Sequence, residues 1–313
     1  MRVRGRLVAV AVVAAALVAV YVLVGLTGSY ALSRRVVKMA AVALVASSVA
    51  PATIIFQTMT HNRILAPSII GMDSLYLLTQ TATVFFLGAT HLAWADARVN
   101  FVIASALMLL FALGLYRLFV VRGEHHLYFI LLVGIVLGTL FQSLVSFLQM
   151  LIDPNEFLVV QGRMFAGFNN VPVELLGVAA GAVLLMAIWM LPTLRYLDVL
   201  ALGRDHAVNL GVDYPALTRR LWVAVSVLVA VSTALVGPIT FLGLLMANLA
   251  QELLATYRRT VLMAGATLLS VAALAGAVLV VERVLGFSTT VSVIVNLAGS
   301  AYFLHLILKE HPA

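Results

Sequence analysis

Residues 221–251, LWVAVSVLVAVSTALVGPITFLGLLMANLAQ, decide the fold. No residue in this run carries a charge, and it exceeds the roughly 20 apolar residues that cross a hydrocarbon core of ~30 Å as a helix. Gly237-Pro238 stands near its middle. Proline removes a backbone donor and glycine permits a turn, so the run reads as two helices, 221–236 and about 239–256.

Outward from this run, uncharged stretches cover 7–33, 39–62, 74–95, 99–116, 127–152, 175–194, 260–281 and 284–308. Each holds one span, and with the divided run the expected total is ten. The rest of the composition agrees. Of 313 residues 64% are hydrophobic and 10% charged, and mean hydropathy is +1.13, whereas a soluble domain carries about 25% charged residues. The expectation is an all-α polytopic membrane protein in which residues 1–313 form one transmembrane domain. Cysteine is absent, which excludes disulfides, thiolate metal sites and iron–sulfur clusters.

Net charge is +7, but the basic residues lie in short gaps between apolar runs. They therefore report membrane topology and not nucleic-acid binding. With ten spans and an inner N-terminus, the inner side holds Arg2, Arg4, Arg6, Arg63, Arg117, Arg122, Arg195, Arg204, Arg219, Arg220, Arg258, Arg259 and Lys309. The outer side holds Arg34, Arg35, Lys38, Arg98, Arg163 and Arg283. That bias of 13 against 6 fits retention of positive charge inside, and a nine-span reading weakens it to 10 against 9. Both termini are expected to be cytoplasmic. The first run follows a basic start, MRVRGR, but is too long for a cleaved signal and is expected to be retained.

Two loops stand out. Residues 153–173, on the outer side, have the length for a short surface helix. The inner loop 193–220 contains LGRDHAVNLGV, where Leu202, Ala207 and Leu210 are apolar and Arg204, Asp205, His206 and Asn209 polar. This pattern gives a short amphipathic helix over about 200–211, stopped at Gly211. Such a helix fits a docking element for a soluble partner, and it fits an interfacial helix on membrane lipid equally well.

No catalytic pattern emerges. A phosphate-binding P-loop needs a lysine after glycine; Lys38 follows Val37 and Lys309 follows Leu308. The Glu124-His125-His126 cluster lacks metalloprotease spacing, and adjacent histidines on a helix diverge by about 100°. No metal site and no catalytic residue is expected. Within the spans, Thr139, Gln142, Ser146 and Gln149 share one helix face, and so do Thr289, Ser292, Asn296 and Gly299. Ordinary helix–helix hydrogen bonding accounts for such stripes, as does a hydrated path. Isolated Gln57 and Asn248 read as packing glue.

Three segments are similar to one family. LGRDHAVNLGV (202–212) resembles the cytoplasmic coupling helix of the FecCD-like permeases, which belong to ABC importers of iron–siderophore complexes, heme and cobalamin. GPITFLGLLMANLAQELL (237–254), followed by Arg258-Arg259, resembles the family's GPIGFVGL stretch and its basic turn. QTMTHNRILAPSIIGMDS (57–74) resembles its NPLA stretch, with Arg63 in place of the proline, and within 237–254 Ala247-Asn248 stands in place of the family's Pro-His pair. These departures resemble the ferric-siderophore branch with paired, non-identical permeases.

The resemblance implies a type II ABC importer permease bundle in the bacterial cytoplasmic membrane. It implies a second permease, an ABC ATPase dimer that uses ATP and magnesium while this chain binds neither, and an extracytoplasmic siderophore-binding protein. Heme or cobalamin are the alternative cargoes. By motif position, Leu202, Gly203, Arg204, Ala207, Leu210 and Gly211 would couple to the ATPase. Arg35, Lys38 and Arg283 would meet the binding protein, or else anchor the span at headgroups. The two polar stripes would line the translocation path. An ion-coupled secondary transporter is the rival; Asp73, Glu174, Glu252 and Glu282 fall near predicted span ends, which leaves that reading without coupling carboxylates.

Overall fold

The computed structural model describes residues 3–24, 28–91, 96–121, 127–169 and 171–310. Arg2, Arg122, the Glu124-His125-His126 cluster and the side chain of Lys309 lie outside the described residues. The described elements are all helical: α1 Val3–Leu23, α2 Ser29–Thr60, α3 Met72–Leu87, α4 Ala97–Val121, α5 Leu127–Leu151, α6 Pro154–Met164 and α7 Val173–Leu194. After these come α8 Leu197–Leu200, α9 Arg204–Asn209, α10 Tyr214–Val236, α11 Leu242–Leu254, α12 Arg259–Leu279 and α13 Val291–Glu310. A helix satisfies its own backbone groups, which hydrocarbon cannot do, so apolar runs of this length fold this way.

Seven helices among the described residues are long and apolar enough to cross a membrane, and α11 and the first part of α13 are shorter apolar helices. The decisive run divides as its composition predicts. Helix α10 stops at Val236, and α11 begins at Leu242 beyond Gly237-Pro238. Helices α2 and α10 are the core: 67% and 78% of their apolar windows are buried, against 11% for α1. Trp222 of α10 fixes this pair to the rest, donating its indole N–H to the Ala112 carbonyl at 2.9 Å and packing on the rings of Phe56 and Tyr116. Val8, Val12, Leu110, Leu185 and Leu191 remain outward and exposed, as lipid-facing residues do.

The bundle has two faces. The foot face carries α8 and α9 together with the start of α1, where Arg6 bonds the Leu253 carbonyl at 3.0 Å. The rim face carries the end of α1, the start of α2 and the end of α12, where Tyr21, Lys38 and Glu282 meet.

A second interruption follows α2. His61 to Ile64 are exposed at the foot face, and from Leu65 the chain climbs back into the bundle and turns through a short 3-10 helix, Pro67–Ile70. Gly71, at φ 90°, is seated against α5 so closely that a Cβ on it would lie 2.9 Å from the Gly138 Cα. Gly138 is eleven residues into α5, or about 17 Å along its axis, so α3 starts deep within the bundle. Non-helical backbone at this depth must be paired inside the protein, and the Ile69 and Gly71 N–H groups donate to the Ala66 and Ser68 carbonyls at 3.1 Å, while side chains hold the segment's start. Gln57 donates to the Arg63 carbonyl at 2.6 Å and Asn248 to the same oxygen at 3.3 Å. Gln57 and Asn248 are thus the packing glue that their isolation predicts.

Helix α12 corrects the boundary of the last predicted span. It continues through a π turn, Val280–Val284, closed by Leu285 N–H on the Val280 carbonyl at 3.0 Å. Glu282 and Arg283 ride on that turn, and α13 starts only at Val291. The charges do not end the helix, because Lys38 and Tyr21 receive Glu282 within the bundle.

Candidate functional site

The two interrupted stretches meet. Ser68 and the start of α3 come from one, Pro238 and Thr240 from the other, and between them lies a cavity of about 230 Å³. Gln142 of α5 and Ser292 and Asn296 of α13 complete its polar wall. Three residues of the two predicted stripes are therefore brought to one place, although α5 and α13 are far apart in sequence.

The remaining stripe residues are not in the lining of this cavity. Thr139 and Ser146 are exposed, and their hydroxyls bond back to Ile135 and Gln142 carbonyls of their own helix at 2.9 and 3.0 Å. Gln149 points at α6, its amide 3.3 Å from the Met164 sulfur. Thr289 lies in the turn before α13 and not on the helix, so it does not continue the Ser292–Asn296 face. Asp73, Ser68 and Thr240 are cavity residues that the periodicity of the spans does not single out. Their signal is a cluster of Pro67, Ser68, Gly71 and Asp73 inside an otherwise apolar stretch, since an intramembrane carboxylate is costly without a role.

At the foot, Leu197 and Leu200 are fully buried and Asp198 accepts the Arg259 backbone N–H at 2.7 Å, which fixes α8 to α12. Helix α9 starts from Gly203, at φ 108°, and ends at Leu210 with Gly211 following at φ 80°. The expected apolar face splits in two. Ala207 is fully buried, while Leu202, Val208 and Leu210 point outward at 61, 52 and 64% exposure. Beside them a cavity of about 520 Å³ is lined by Arg63, Asp198, Leu202, Tyr257 and Arg259. Burial and the neighbouring Arg259 guanidinium hold the His61 imidazole below its ordinary range, which favours the neutral ring.

At the rim, the predicted cations are engaged within the chain. Lys38 forms an ion pair with Glu282 and bonds the Asn169 side-chain oxygen at 2.7 Å. Arg35 donates to the Val24 carbonyl at 2.8 Å and Arg283 to the same carbonyl at 2.7 Å, so both close the end of α1. Arg34 is exposed and bonds Tyr30. Among the described residues, Arg34, Arg35, Lys38 and Arg283 share this rim with the carboxylate of Glu282, which leaves it a positive balance.

Fold and site together define an all-helical, multi-pass membrane protein with an internal polar cavity, a fixed foot and a basic rim. A model of the FecCD transport family matches residues 7–309, and the chain belongs to that family. It is 51% identical over 282 residues to the petrobactin import system permease protein YclO of Bacillus subtilis, covering 90% of each chain. It is 32% identical over 277 residues to the petrobactin import system permease protein FatC of Bacillus anthracis, covering 88% of this chain and 78% of that one. A solved metal-chelate type ABC transporter in an inward-facing conformation superposes with a TM-score of 0.81 at 21% identity, covering 98% of this chain and 99% of that one. That last likeness concerns the fold.

Proposed function

We propose that the chain is a permease subunit of an ATP-driven ABC importer that passes a ferric siderophore into the cytoplasm. The observation that carries this reading is the 51% identity to a petrobactin import permease over 90% of both chains. In this reading α3, α11 and α13 complete ten spans, both termini are cytoplasmic and the protein resides in a bacterial cytoplasmic membrane. The foot face is then cytoplasmic. The outward Leu202, Val208 and Leu210 are the surface an ATPase dimer seizes, with Gly203, Arg204 and Gly211 shaping the helix and Ala207 seating it. ATP and magnesium act on that partner. A second, non-identical permease covers the exposed Thr139 and Ser146 face of α5, and an extracytoplasmic binding protein delivers the chelate to the rim.

Gln142, Ser292 and Asn296 would line the path, and the interrupted backbone on either side supplies the places where helices can change angle. The test is reconstitution in vesicles with the partner permease, ATPase and binding protein, offering labelled ferric siderophores, heme and cobalamin. ATP-dependent uptake of a ferric siderophore is expected. Accumulation by the chain alone without nucleotide would overturn the reading in favour of an ion-coupled carrier, and uptake restricted to heme or cobalamin would overturn its substrate.

A further inference from the structure

The foot cavity carries charge that the chain leaves unused. Arg63 follows α2 and Arg259 opens α12, and both line the cavity of about 520 Å³ beside α9. Arg63 is exposed and Arg259 half-buried, and they are close enough that the charge of Arg63 acts on Arg259. Among the described residues neither guanidinium forms an ion pair or a hydrogen bond, and Arg259 Nε is buried without a partner. The wall holds one carboxylate, Asp198, whose Oδ1 is already taken by the Arg259 backbone N–H at 2.7 Å. The cations of the rim differ, since Lys38 pairs with Glu282 and Arg35 and Arg283 close the end of α1.

Two like charges held at one partly covered place repel each other, and an anion between them removes that cost. A guanidinium presents its N–H groups as a fork that matches the two oxygens of a carboxylate. What the cavity shares with its surroundings selects the occupant. Leu202 belongs both to its wall and to the outward apolar edge of α9, and Tyr257, also in the wall, is 80% exposed. A protein seated on Leu202, Val208 and Leu210 therefore reaches the cavity as well. A single water or bare ion fills on the order of 30 Å³, so a cavity of about 520 Å³ takes an acidic side chain with part of the segment that carries it. We propose that Arg63 and Arg259 receive an acidic side chain of the ATPase subunit, a charged clasp beside the apolar edge of α9. This rests on the permease reading and adds to it an electrostatic contact with the same partner.

The test titrates purified ATPase onto the permease pair in phosphatidylcholine nanodiscs, over salt from ~0.1 M to ~1 M. Wild type should bind less tightly as salt rises. Arg63→Glu, at an exposed position, should weaken binding about tenfold at low salt and flatten the salt dependence. Arg259→Gln, which keeps the backbone N–H on Asp198, should do the same; Arg63→Glu decides the matter if that variant does not assemble. Leu202→Ala should weaken binding with the salt dependence unchanged, which separates the clasp from the apolar edge. Binding and salt dependence unmoved by the arginine variants overturn the clasp. An arginine effect that appears only when phosphatidylglycerol is added to the nanodiscs assigns the cavity to a lipid headgroup and overturns it too. Failure of the ATPase to bind wild type at any salt is a different result, and that one rejects the permease reading itself.

Discussion

The rim and the foot carry opposite chemistry and use it in opposite directions. At the rim the conspicuous groups are charged, yet Lys38, Arg35 and Arg283 turn inward onto Glu282 and the last carbonyls of α1. At the foot the conspicuous groups are apolar, and Leu202, Val208 and Leu210 turn outward from a base that Ala207, Leu197 and Leu200 bury. A cluster of charge therefore does not by itself mark an interface here; much of it closes helix ends. The apolar edge of this short, firmly seated helix is uncovered among the described residues, and in the permease reading it is where a partner would bind.

The contrast breaks most visibly at Ala207. Its side chain is fully buried, and Ala207→Glu would place an unpaired carboxylate beneath the foot at about 3–5 kcal/mol. We expect ATP-dependent uptake and stimulated ATPase activity of the importer to vanish while membrane insertion persists. Full coupling in this variant would mean that the foot is not the transmission element. The rim offers the matching test. Lys38→Glu sets two carboxylates together at a site where both partners are only 13 and 14% exposed, so about 3 kcal/mol of stability should be lost. Thermal unfolding in detergent reads that loss, and the exchange Lys38→Glu with Glu282→Lys should recover most of it. If the exchange recovers nothing, the pair is not what holds the rim.

A smaller effect separates seat from surface. Gly203 has open space where a Cβ would be, but its φ is +108°, a region that costs an L residue about 1–3 kcal/mol. Gly203→Ala should lower the unfolding temperature modestly and reduce uptake partially, well short of the Ala207→Glu loss. An effect equal to that of Ala207→Glu would place the constraint on the surface of α9 and not on its base.

How much of this was legible in the sequence depends on where each residue finds its partner. The break at Gly237-Pro238 was legible because a missing N–H acts locally. So was the shared face of Ser292 and Asn296, since helical spacing needs no knowledge of the neighbours. The end of α12 was not, because Glu282 is matched by Lys38, 244 positions away, and a charge paired through space no longer ends a span. The inward course after Ile64 was hidden for the same reason: the Arg63 carbonyl at its start is held by Gln57 and by Asn248, 185 positions from Arg63. Helix α9 shows a different limit. Its alternation announces an amphipathic helix, but both sides carry apolar residues, and only the packing of α8 and α10 decides that Ala207 is covered while Leu210 is not.

The gentlest test asks whether any rim charge acts outward. Arg34 is exposed, and among the described residues its guanidinium bonds the Tyr30 hydroxyl at 3.2 Å, itself on a residue 74% exposed. It is thus the rim cation best placed to attract acidic groups on a delivering protein, and reversing it disturbs no helix end. Exposed pairs contribute about 0.2–1 kcal/mol, so Arg34→Glu should weaken binding-protein docking by roughly two- to fivefold at low salt. The difference should shrink toward nothing as the screening length falls from ~10 Å at 0.1 M salt to ~3 Å at 1 M. Surface-immobilised binding protein and vesicles bearing the importer measure this directly. If docking is unchanged at low salt, the rim works only as the fastening of α1, α2 and α12, and recognition must lie in the uncharged edges of the cavity mouth.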